Sequence, residues 1–65
     1  MGHYYSFKRG DSVTITSGSY QGCTATVDSA VFQCTVDYPD EYAPGYHVVL
    51  DNGVVVTVRW DQVSS

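Results

Sequence analysis

At 65 residues the chain allows one domain, with a core near the lower limit of what burial alone can stabilise. Its abundant Val, Thr and Tyr, with Leu only at position 50, are the composition of a folded β protein and leave no amphipathic helical stretch. Seven Asp and Glu against three Lys and Arg, a formal charge of -4, argue against a partner held mainly through its phosphates.

Residues 1–6 are expected to form a flexible tail ahead of a single domain spanning 7–65. This start lacks the charged and apolar regions of a secretory signal, and no later stretch approaches the roughly 20 apolar residues that cross a bilayer. A cytoplasmic protein with no membrane contact is therefore expected.

Val13 and Ile15 alternate with Ser12, Thr14 and Thr16, the period of a first strand with one buried face. Ser17-Gly18-Ser19-Tyr20-Gln21-Gly22 carries two glycines and no periodicity, which marks a reversal. A second strand opens with Cys23, Ala25 and Val27 on one face. At Asp28-Ser29 the phase changes, and Ala30, Phe32, Cys34 and Val36 become the better apolar set. A single inserted residue produces such a switch, so a bulge with a sharp bend is the first reading. The alternative is a two-residue turn at Asp28-Ser29, which would place Cys23 opposite Cys34; Asp-Ser is a poor match for a primed hairpin turn.

The stretch from Asp37 to Gly45 holds two prolines and three acids without strand alternation, and reads as one long loop. Tyr46 to Leu50 and Val54 to Arg59 then form two strands around Asp51-Asn52-Gly53, the strongest hairpin signal in the chain. A two-residue Asn52-Gly53 turn would divide the valines between two faces. A three-residue loop ending in a left-handed Gly53 gathers Tyr46, Val48, Leu50, Val54, Val56 and Val58 on one face, buries more, and is preferred. Trp60-Asp61-Gln62-Val63 fits a short 3₁₀ turn and a final strand. The expected fold is all-β, a small SH3-like barrel of about five antiparallel strands, with Val13, Ile15, Ala25, Val27, Val48, Leu50, Val56 and Val58 inside. Phe32, Tyr46 and Trp60 are expected to fill the rest of its core.

Ile15, Gly18, Gly22 and Val27 resemble the KOW motif, the strand-loop-strand element of small barrels in NusG-type transcription factors and ribosomal proteins. Ala25 stands where that pattern has its third glycine, and Gln21 where a basic residue often precedes the second. The resemblance covers about a third of the chain. It implies a binding module, in the alternative case one that holds RNA or DNA through Lys8, Arg9, Tyr20 and Gln21. Barrels of this kind serve many purposes, so the fold alone does not choose among them.

Enzyme chemistry finds little support, and no catalytic residue or cofactor is assigned. Asp37, Asp40 and Glu41 sit in a stretch read as a solvated loop, which gives no reason for a shifted pKa, and neither His3 nor His47 has an evident nucleophile or orienting partner. Cys23 and Cys34 are expected to be reduced, small apolar side chains; a disulfide would need the hairpin alternative. There is no CxxC pair and no histidine at ligand spacing, so no metal site is expected.

The remaining signal is aromatic residues interleaved with acids. Tyr38, Asp40, Glu41 and Tyr42 suit a protein partner that offers a basic or proline-containing segment, through cation–π and stacking contacts. The leading expectation is a small non-catalytic KOW-like module that contacts a protein through this acidic-aromatic stretch within a larger complex. The alternative is nucleic-acid binding at the Lys8/Arg9 and Ser17 to Gln21 surface.

Overall fold

Strand alternation organises the chain almost from end to end. The structure, a computed structural model, describes residues 5–65; His3 and most of the predicted tail lie outside the described residues. Five strands follow one another: β1 (Ser12–Ile15), β2 (Thr24–Thr35), β3 (Tyr38–Leu50), β4 (Val55–Arg59) and β5 (Val63–Ser64), the last preceded by a 3₁₀ turn at Trp60–Gln62. They form one antiparallel sheet in the order β4-β3-β2-β1-β5. Long, bent β2 and β3 curl the sheet into a small SH3-like barrel.

The core is where the alternation places it. Val13, Ile15, Ala25, Val27, Val48, Leu50, Val56 and Val58 are all buried, joined by Tyr46 and Val63. Trp60, Tyr20, Cys23 and Phe7 pack against this cluster from its rim. The β3–β4 hairpin takes the three-residue register: Val49 pairs with Val55, Leu50 N–H donates to Val54 C=O, and Gly53 has a φ of 88°. That left-handed value is cheap only for glycine. Val54 itself is exposed, because it sits at the mouth of the turn beyond the core.

In β2 the register against β3 shifts between Val27 and Ser29, leaving Asp28 as the extra residue. The strand continues through this bulge and bends there, so Cys23, just before β2, and Cys34, near its far end, are well separated and both are free thiols.

Two expectations are corrected. The stretch from Asp37 to Gly45 is not a long loop: a two-residue turn at Val36 and Asp37 returns the chain directly into β3, the longest strand. Thr35 pairs with Tyr38 and Cys34 with Tyr42, so Pro39, Asp40 and Glu41 form a wide bulge on β3. Pro39 falls within that irregularity, and Pro44 lies one residue before β3 gains β4 as its second neighbour at Gly45. Bulges and strand edges are the positions at which a sheet tolerates proline.

Phe32, expected in the core, is 63% exposed. It lies beyond the bend of β2, opposite Pro44, where the sheet has turned away from the barrel interior. The space over Tyr46 is taken instead from the N-terminal side. Tyr5 and Phe7 meet the Tyr46 ring edge-on at 6.0 and 5.9 Å, and the Tyr5 hydroxyl donates to Val31 C=O at 2.8 Å.

Candidate binding site

The outer half of the β2–β3 hairpin carries the aromatic and acidic residues, in two groups. Residues directly opposite in an antiparallel pair share a face, so Phe32 with Pro44 and Cys34 with Tyr42 form one continuous apolar strip. Phe32 and Tyr42 are 63% and 70% exposed and their rings lie 6.3 Å apart, tilted by 38°. Exposed large side chains in mutual contact are more informative than scattered ones, because burying them against water-excluding partners is favourable.

A second cluster is organised by Arg59 at the end of β4, which pairs with Gly45, itself opposite Val31, and so alternates onto the opposite face of the ladder from Phe32 and Pro44. Its guanidinium carbon is 4.8 Å from the centroid of the Tyr38 ring. A terminal nitrogen is 3.4 Å from a Glu41 carboxylate oxygen, and Nε is 3.8 Å from Asp61. The carboxylates are exposed and the Arg59 side chain is half-buried, and each contact is worth on the order of 1 kcal/mol. Of the predicted contact residues, Tyr38 and Glu41 therefore gather around Arg59, Tyr42 sits with Phe32, and Asp40 is exposed at the bulge between them. Arg59 and Phe32 were not foreseen as part of this surface. The sequence signal for Arg59 was its place across the hairpin from Gly45, which pairing brings next to the tyrosines only once β3 is extended.

The hairpin is held in place at its tip. Val36 N–H donates to Thr57 C=O at 2.9 Å. The Asp37 carboxylate accepts from Ser19 N–H at 3.0 Å, Ser19 Oγ at 2.6 Å and Gln62 Nε2 at 3.0 Å. Gln62 is buried; its Nε2 also donates to Ser17 C=O, and its Oε1 accepts from Arg59 N–H. Ser19 and Gln62 hold the Asp37 carboxyl below its ordinary pKa, with the Ser19 hydroxyl the largest cause and burial opposing. Gly18, at a φ of 90°, leaves the space this cluster occupies, since a Cβ there would strike the Asp37 carboxylate and the Gln62 amide. This latch fixes the candidate surface against the β1–β2 loop and the closing turn.

The alternative surface is divided by the fold. Lys8 and Arg9 are exposed in a turn in which Asp11 N–H donates to Lys8 C=O and Gly10 N–H to Val27 C=O, at the start of β1. Tyr20 and Gln21 lie past the other end of β1, where Gly22 N–H donates to Ile15 C=O. Tyr20 is partly buried against the core rather than presented as a stacking platform. An open cleft of about 330 Å³ between Gly22–Thr24 and Leu50–Asn52 carries none of the predicted contact residues.

His47 faces Thr57 across the β3–β4 pair, with Nδ1 2.8 Å from its Oγ1. Among the described residues no three His, Cys, Asp or Glu side chains are grouped as a metal ion requires, and no helix is long and apolar enough to cross a membrane. The chain matches no family model, no curated protein and no solved structure.

Proposed function

We propose that this protein is a small non-catalytic binding module that holds a cationic or proline-containing segment of a protein partner on the outer half of the β2–β3 hairpin. The observation that carries the reading is the exposed Phe32–Tyr42 pair beside the acidic bulge at Asp40 and Glu41. Apolar rings give contact area and stacking, while the flanking carboxylates and the chain's net negative charge select a cation. The latch at Asp37 supports this reading because a hairpin held at its tip loses little freedom when a ligand arrives.

The cytoplasm is the proposed compartment, and a larger complex the proposed setting. The likeness to KOW elements rests on Ile15, Gly18, Gly22 and Val27; both glycines adopt positive φ, as a tight loop between paired strands requires. The test is to titrate isotopically labelled protein with an Arg/Pro-rich peptide, single-stranded RNA and duplex DNA at two salt concentrations. Peptide shifts at Phe32, Tyr38, Glu41 and Tyr42 are expected, and the double change Phe32→Ser with Tyr42→Ser should remove them while leaving the fold intact. Shifts confined to Lys8 and Arg9 with RNA or DNA, lost at high salt, would replace this reading by nucleic-acid binding.

A further inference from the structure

The acidic-aromatic surface already contains a cation of its own. The Arg59 guanidinium lies over the Tyr38 ring and reaches Glu41, both of them residues that a cationic ligand would use. We infer that this is a seat for guanidinium, and that an arginine of the protein partner takes it by displacing Arg59. The inference rests on the protein-interaction reading above.

Three features of the seat point to arginine and to exchange. A guanidinium is flat, so it stacks on the Tyr38 ring while its N–H edge faces the carboxylates of Glu41 and Asp61; a lysine ammonium has neither the flat face nor the fork. Arg59 fills the seat imperfectly. Its Nε is shielded from solvent and has no hydrogen bond, the carboxylate of Asp61 being 3.8 Å away. The seat is also open, with Tyr38 37% exposed and the Glu41 side chain 56% exposed.

Departure of the Arg59 side chain does not dismantle the fold. Its structural work is done by the main chain: its N–H donates to Gln62 Oε1 at 2.8 Å, and it stays paired with Gly45. An incoming arginine therefore competes with the Arg59 side chain, 27% exposed, and not with the main-chain contacts of the closing turn.

The experiment measures calorimetric affinities of one short proline-containing peptide in an arginine and a lysine version. The proteins are the wild type, Arg59→Gln, and Lys8→Gln, which removes the same charge from a different segment. Arg59→Gln should bind the arginine peptide about 3- to 10-fold more tightly than wild type, the scale of an exposed stacking and ion-pair contact. The lysine peptide and Lys8→Gln should show smaller gains. In wild type, the Arg59 δ protons should lose their ring-current shift as the arginine peptide is added. Tighter binding that is equal for both peptides or for both variants would overturn the inference and leave a simple charge effect. Weaker binding by Arg59→Gln, in a variant whose amide spectrum shows the native fold, would also overturn it. Binding of neither peptide to any of the proteins would sink the protein-interaction reading, and this inference with it.

Discussion

Gln62 is 1% exposed, yet both ends of its amide are used, by Ser17 and Asp37 on one side and by the Arg59 main chain on the other. A buried amide of this kind is costly to truncate, because its partners lose hydrogen bonds in a place water reaches poorly. Gln62→Ala should destabilise the protein by about 2 kcal/mol, read from the midpoint of urea unfolding; a loss under about 0.5 kcal/mol would show that the latch contributes little. Asp37 adds a pH dependence of definite sign. Its native pKa is lowered, so the latch contributes stability above the ordinary aspartate value near 3.9 and loses it as pH falls through the lower native value. Stability of the wild type should therefore decline on acidification below about pH 4 more steeply than that of Asp37→Asn. Parallel curves for the two proteins would remove Asp37 from the account.

The β2–β3 hairpin is the element on which site and fold depend together, and the single residue Asp28 sets its course. Between Val27, paired with Val48, and Ser29, paired with His47, Asp28 has no opposite number. Deleting it would restore a regular ladder, straighten β2 and swing the outer hairpin away from Thr57 and Ser19. The deletion should abolish cooperative unfolding, whereas Asp28→Ala, at an exposed position, should change stability by less than about 0.5 kcal/mol. This bulge was legible in the sequence because it reverses the apolar phase, just as Asn52-Gly53 announced the second hairpin. The continuation of β3 through Tyr38 to Pro44 was not. Pro39, Pro44 and the two acids Asp40 and Glu41 hide the strand from any rule of propensity, and only pairing with β2 overrides them. The acidic-aromatic residues were thus found without their setting. Arg59 and Gln62 were missed as site and latch residues because their roles come from contacts between segments distant in sequence.

Across the whole molecule, the barrel closes through very few residues. Ile15 pairs with Val63 and Thr14 with Ser64, and these two pairs are the entire register between β1 and β5. Val63 is buried in the common core, so the seam is apolar inside and joins segments far apart in sequence. Such a contact closes a long loop for few bonds, and loop closure of that kind is slow to be rewarded during folding. The consequence is kinetic. The curled β2–β3–β4 meander, built from neighbouring hairpins, should collapse first, with β5 docking after the rate-limiting barrier. Val63→Ala should then remove about 1 to 2 kcal/mol of stability almost wholly by accelerating unfolding. A stopped-flow chevron in which the folding limb slows by as much as the unfolding limb quickens would place the seam inside the nucleus instead. If β5 docks late, the native barrel unlocks from that end, and its lifetime is governed by Val63 more than by any residue of the candidate binding surface.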